Sequence, residues 1–235
     1  MTTTASRTPI EIGLIADLAC PWCHLGLVRL DRARALRPQL AVRLRWWPFF
    51  LNPHLPPDGM DRQTYLRTKF GGEAAARNVY QRIVAAGRAD GVAFAFERMT
   101  RTPNTLQAQR LILFAEEQGL GETIIRALFE ALFLEGRDIG RADELIEIAV
   151  AAGLGREEVA RFLASDRHRE TVVGSHGEAE RLGIRGVPVF VLDRQQVIAG
   201  AQPPEVLVGL LDLAAGARQT ADAERPAPRE AAPAG

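Results

Sequence analysis

Strand-like sequence is confined to the two ends of this chain, and a long stretch of helical spacing separates them. Ile10 to Ala16 is a short, Ile-rich apolar run, the pattern of a buried β-strand. Pro21 to Leu36 sets Leu25, Val28, Leu30 and Leu36 among Arg and Asp, which suits an amphipathic helix closed by Pro38. Val42, Leu44 and Trp46 then alternate with Arg43, Arg45 and Trp47, a half-buried strand ended by Pro48. Near the other end, Gly183 to Pro188 leads into the short buried strand Val189 to Leu192. Asp193 to Gln196 reads as a hairpin turn and Val197 to Ala199 as its second strand. Pro203 and Pro204 open a last helix through Leu211, where a proline in the first turn sacrifices no helical hydrogen bond.

Between these pieces, Asp61 to Phe70, Glu73 to Arg88, Thr105 to Gln118, Glu122 to Leu134, Arg141 to Ala152 and Arg156 to Arg181 all carry helical spacing, with almost no strand signal. Glycines at 71, 91, 119, 136 and 153 punctuate them. The expectation is one α/β domain built from 10–58 and 177–213, interrupted by an inserted α-helical domain over 59–176. Residues 1–9 are polar and 214–235 lack large apolar side chains, so both are expected to be disordered ends.

Lys plus Arg and Asp plus Glu both count 29, so the formal charge is zero. The chain therefore exerts no long-range attraction for nucleic acid or an acidic membrane, and neither partner is expected. No apolar run approaches the roughly 18 residues of a membrane span. The run Ile10 to Ala16 is interrupted by Glu11 and passes straight into a cysteine motif, which argues against a cleaved signal. The cytoplasm is the default location, and two cysteines so close together do not make a stabilising disulfide framework.

Those two cysteines stand in Cys20-Pro21-Trp22-Cys23-His24, where the first strand hands over to the first helix. Free N–H groups and the positive end of the helix dipole favour a thiolate at Cys20. Pro21 suits the first helical position. Cys23 lies one turn on, close enough to displace whatever Cys20 captures. Neither Pro21 nor Trp22 brings charge, so a moderate redox couple is expected rather than a strong oxidant. The motif also matches c-type haem attachment, but the chain lacks a convincing export signal. A zinc site would need two more ligands, and His168 and His176 do not follow the usual spacing, so no metal is expected. An inert cysteine pair is the remaining competitor. Pro188, at the head of a buried strand, forfeits a ladder donor, which fits either a trans edge proline or a cis Val187–Pro188 bond.

The combination of Cys20-Pro21-Trp22-Cys23, Gly186-Val187-Pro188 and Gly200-Ala201-Gln202-Pro203-Pro204 resembles the DsbA-like thioredoxin-fold family. Asn52-Pro53, Pro56-Pro57, Arg101-Thr102-Pro103-Asn104-Thr105 and Glu135 to Gly140 are similar to its FrnE-like branch. The resemblance implies a thioredoxin-like α/β fold with the helical domain inserted after the second strand. It implies Cys20 as an exposed nucleophile, Cys23 as the resolving thiol, and Pro188 as a cis-proline facing them. Thiol–disulfide exchange is the activity expected, on a protein or small-molecule substrate, with no cofactor beyond the redox-active disulfide. Trp22 either borders the substrate site or packs against the insertion. Asp17 is either a turn residue or a carboxylate moving protons off Cys23. Asn104 either caps the helix at Thr105 or lines the substrate cleft. His24 reads as a polar surface residue with a proton relay as its alternative, and Arg137 and Asp138 as a loop pair. The wider family includes glutathione-using kappa-class transferases and 2-hydroxychromene-2-carboxylate isomerases, which have serine where this chain has Cys20. Glutathione is accordingly a candidate co-substrate and that chemistry the second reading; a non-redox binding module is the third. Relatives often dimerise, so a homodimer is a candidate assembly.

Overall fold

A computed structural model describes residues 9–192 and 196–223. The first strand β1 (Ile10–Ala16), helix α1 (Pro21–Ala35) and strand β2 (Val42–Pro48) form a β-α-β unit. β1 and β2 run parallel, in register from Ile10 opposite Val42 to Ala16 opposite Pro48. Strand β5 (Val189–Leu192) returns antiparallel to β1, and β6 (Gln196–Ala199) pairs antiparallel to β5. The sheet order is β2-β1-β5-β6, and the link between the two hairpin strands lies outside the described residues.

Side-chain alternation divides this sheet between two faces. Ile12, Leu14, Leu44, Trp46, Phe190 and Leu192 enter the large core. Ile15, Val189 and Val191 turn to the opposite face, where Phe49 and Ala179 cover them. Gly13 lets the Trp47 ring lie against β1, since a Cβ there would sit 3.1 Å from it.

Between β2 and β5 run β3 (Met60–Asp61), α2 (Arg62–Phe70), α3 (Glu73–Ala89), a 3-10 turn (Phe96–Arg98) and β4 (Arg101–Thr102). They are followed by α4 (Leu106–Glu117), α5 (Gly121–Phe133), α6 (Ala142–Ala151), α7 (Arg156–Leu163) and α8 (Arg169–Arg181). The strands β3 and β4 form a two-residue antiparallel ladder, too short to leave a periodic signal. The single helix expected over Arg156 to Arg181 is instead two, broken at Ala164 to His168, where His168 has a left-handed φ of 63°. The buried guanidinium of Arg110 explains the break. It donates to the carbonyls of Phe162 (3.4 Å), Ser165 (2.5 Å) and Arg167 (2.7 Å), taking over acceptors that end α7.

The insertion has no separate interior. Ile112, Phe129, Phe133 and Leu145 belong to the same core as Leu14, Leu27, Phe190 and Leu207. Helix α8 packs on β2, and the last helix α9 (Pro204–Ala223) packs on α1 and β1. α9 runs past the expected end at Leu213 with Ala214 buried, and 224–235 of the expected tail lie outside the described residues.

Candidate active site

β1 ends pointing its last residues at the start of α1, and the turn between them carries the dithiol. Cys20 occupies the position just before α1, with extended backbone (φ −99°, ψ 108°), and Pro21 opens the helix. The Cys20 amide donates to the Asp17 carbonyl at 3.0 Å, closing the turn. The Cys23 amide donates to the Cys20 carbonyl at 3.0 Å, which places both side chains on one turn. The two cysteines are free thiols lying 3.5 Å apart.

Opposite them, the Val187–Pro188 peptide bond is cis, and the Cys20 thiol donates to the Val187 carbonyl at 3.5 Å. The Pro188 carbonyl is held from behind by the Gly200 amide at 2.8 Å. Gly26 of α1 allows this loop to approach, because a Cβ would meet Pro188 at 3.1 Å and Phe190 at 3.2 Å. The exposure implied for Cys20 by resemblance is corrected here: the residue is only 4% exposed. The Val187 carbonyl lies against its sulfur.

Cys23 is fully buried. Burial pushes its thiol well above the ordinary range, and contact with Cys20 pushes it further; a backbone hydrogen bond from Asp17 offsets only part. Asp17 is buried too, at 1% exposure. Its Oδ1 accepts from the Ala19 amide (3.1 Å) and the Thr105 hydroxyl (2.8 Å), and its Oδ2 from the Leu51 amide (2.7 Å). Burial nevertheless raises its carboxyl above the usual range, because desolvation outweighs the donors.

A cleft of about 360 Å³ opens at Asp17 and Ala19, the residues leading into the dithiol, and is bordered by Phe50, Asn52, Asn104 and Thr105; neither cysteine lines it. Asn104 lines this cleft and stands one residue ahead of Thr105, which occupies the cap position of α4. The Asn104 Oδ1 accepts from the Leu106 amide (3.0 Å) at the head of α4, and its Nδ2 donates to the Leu55 carbonyl (3.0 Å). Trp22 is half-buried and packed against the main core. Arg137 and Asp138 do not pair with each other: Arg137 binds Glu144 at 2.6 Å, while Asp138 accepts the Gly140 amide at 3.0 Å. Sequence reasoning passed over Gln109 and gave no role in this site to Thr105, Asn52 or His176, none of which stands near the cysteines along the chain. The motifs containing Asn52 and Thr105 were the available signal.

His24 is the clearest departure from expectation. The surface residue foreseen is 6% exposed, stacked on Phe129 at 5.3 Å and edge-on to Phe94 at 5.8 Å. Its Nδ1 has no hydrogen-bond partner among the described residues, and burial pulls its pKa down to about 4. The folded protein therefore keeps it neutral where the unfolded chain, near 6.5, takes up a proton. Protons favour the unfolded state as pH falls from about 6.5 to about 4, at a cost of as much as about 3 kcal/mol. His24→Phe is expected to match or exceed wild-type stability at neutral pH, with the advantage widening across that acid window. Urea midpoints measured at several pH values check this, and a gap independent of pH would contradict it.

A β-α-β unit, a helical insertion, a hairpin and a final helix around a Cys-x-x-Cys helix start define a thioredoxin-fold protein with a helical insertion. The DSBA-like thioredoxin domain model matches residues 11–212, and the chain belongs to that family. It is similar to the crystal structure of a probable DsbA oxidoreductase from Streptomyces coelicolor, at 32% identity and a TM-score of 0.75, covering 94% of this chain and 93% of that one. A cytosolic disulfide reductase DsbM from Pseudomonas aeruginosa, solved with glutathione, is 23% identical with a TM-score of 0.59, over 90% of this chain and 99% of that one. Among curated sequences, the uncharacterized protein YwbO of Bacillus subtilis is 25% identical over 201 residues, 84% of this chain and 93% of that protein.

Proposed function

We propose that this chain is a thiol–disulfide oxidoreductase whose centre is the pair Cys20 and Cys23. The observation that carries the reading is the adjacency of two free thiols at the start of α1 beneath the Val187 carbonyl. Cys20, at the helix N-terminus, attacks one sulfur of a substrate disulfide. A Cys20–substrate S–S bond forms, the substrate bond breaks, and the second substrate sulfur leaves with the electron pair and takes up a proton. Cys23 then gives up its proton, attacks Cys20 and releases the first substrate sulfur, leaving a Cys20–Cys23 disulfide. A reducing thiol reverses the sequence. The Val187–Pro188 backbone offers strand-like pairing to an extended substrate segment, with Trp22 at its border.

Asp17 is the proposed proton acceptor for Cys23. Its carboxylate charge is felt by that thiol, and burial holds its proton affinity above the ordinary carboxylate range. His24, enclosed by phenylalanines, is not assigned the role. The cleft at Asn52 and Asn104 is proposed to hold a small thiol, with glutathione as candidate co-substrate and the cytoplasm as the working compartment. The Pseudomonas reductase, described as cytosolic and solved with glutathione, is the basis for both proposals.

The test is equilibration of the reduced protein in glutathione buffers of graded ratio, followed by acid quenching, alkylation and mass analysis. A Cys20–Cys23 disulfide is expected to replace the dithiol over one moderate two-electron transition, with glutathione adducts confined to Cys20. A stable Cys20 adduct that Cys23 never displaces would favour the transferase or isomerase chemistry. Two thiols unreactive at every ratio would favour a non-redox binding module.

A further inference from the structure

A chain of buried hydrogen bonds leads from Asp17 into the helical insertion, and the dithiol chemistry as described does not use it. The Thr105 hydroxyl, at the residue before α4, donates to Asp17 Oδ1 at 2.8 Å across 88 positions of sequence. Gln109, one turn further along α4, donates through Nε2 to the Thr105 hydroxyl oxygen at 3.1 Å and to the Phe49 carbonyl at 2.9 Å. Its Oε1 accepts from the Trp46 indole at 3.4 Å. Asp17, Thr105, Gln109 and Trp46 are all buried.

The directions in this chain are fixed by chemistry. The Trp46 indole has only a hydrogen to give, so Gln109 must present its oxygen there and its amide hydrogens to Thr105 and Phe49. With a donor already on its oxygen, Thr105 has its single hydroxyl hydrogen free for the carboxylate. That hydrogen bond stabilises the ionised form of Asp17 and is lost in value when Asp17 is protonated. Inside the protein such a bond acts at low dielectric, where it is strong and its removal is costly.

We infer that Thr105, oriented by Gln109, is the positioning residue that sets the proton affinity of Asp17, so that the helical insertion governs when Cys23 can release its proton. This rests on the dithiol reading proposed above. The proton passes from Cys23 sulfur to the Asp17 carboxylate. The resulting thiolate attacks Cys20, and the departing substrate sulfur carries the electron pair out. Because Asp17 and Thr105 border the same cleft, the proton then has an exit to solvent.

The groups facing Asp17 are few. Cys20 precedes α1 and Cys23 lies in its first turn, and His176 of α8 lowers the proton affinity of Asp17 through charge. Tyr65 of α2 senses the Asp17 charge, and Arg169 of α8 lines the cleft. From the head of α4 come Thr105, which contacts Asp17, and Gln109 behind it, and neither titrates. A change at Thr105 therefore alters the surroundings of Asp17 without altering any charge.

The experiment uses the reduced full-length protein and dithiobis(nitrobenzoate). Attack by Cys20 releases one coloured nitrothiolate, and closure by Cys23 releases the second, so the second phase reports Cys23 alone. Its rate is followed against pH in wild type, Thr105→Val, Thr105→Ser and Asp17→Asn, with circular dichroism confirming that each is folded. In wild type the second phase is expected to rise along a limb set by ionisation of Asp17. Thr105→Val should move that limb upward by about one pH unit, making closure roughly tenfold slower below it. Thr105→Ser should restore it, and Asp17→Asn should remove the limb. A limb unmoved in folded Thr105→Val, or retained in Asp17→Asn, overturns the inference while the dithiol reading stands. A wild-type protein that releases the first nitrothiolate and never the second overturns both.

Discussion

Replacing Cys20 with serine is expected to reduce disulfide exchange at least about a thousandfold, to the uncatalysed background. The neighbouring thiol does not compensate. Cys23 is fully buried and its proton affinity is pushed well above that of a free cysteine, so at neutral pH it holds its proton and has no open approach for a substrate. Only once a substrate sulfur is bonded to Cys20 does Cys23 lie next to an attackable disulfide. The two substitutions therefore differ in kind. Cys20→Ser loses capture, while Cys23→Ser captures and cannot release, accumulating a mixed disulfide at Cys20. Insulin reduction gives turnover, and mass analysis of acid-quenched protein gives the adduct. Exchange surviving in Cys20→Ser, or an adduct found on Cys23 in that variant, contradicts this order of attack.

The adjacency of the two cysteines at a helix start was legible in the sequence because it is local. A strand, a helix start and two cysteines one turn apart fall within Ile10 to Ala35, and the side-chain alternation from Val42 to Trp47 marks the parallel partner. What the sequence did not disclose depends on partners far along the chain. His24 looked like a surface residue because the faces of α1 are polar on average; the rings of Phe94 and Phe129 that enclose it come from the insertion. Cys20 was expected to be exposed on the family resemblance, and it is covered by Val187. The break between α7 and α8 leaves no mark of glycine or proline, since Arg110 of α4 supplies it from outside the segment. Asp17 was ambiguous, and the position of Thr105 shows that its carboxylate joins the dithiol turn to the insertion.

The same interleaving makes a strong demand on stability: Phe129→Ala is expected to destabilise the whole molecule in one step rather than loosening the insertion. Phe129 lies on α5, within the insertion, and is completely buried. It stacks on His24 of α1 at 5.3 Å and meets Trp46 of β2 edge-on at 6.1 Å. Its truncation removes contacts on both sides of the junction and leaves a cavity between them, at a cost of about 3–5 kcal/mol. For a chain of this length that corresponds to a fall in melting temperature on the order of 10 °C. If the insertion were an independent unit, the loss would appear as an early transition in helical signal, with the cysteines still protected. Because Phe129, His24, Trp46 and Cys23 share one core, circular dichroism and cysteine alkylation should instead report the same lowered midpoint. Separate midpoints for the two probes would mean that the insertion unfolds alone, and that the contacts joining it to the redox helix contribute little to holding the dithiol in place.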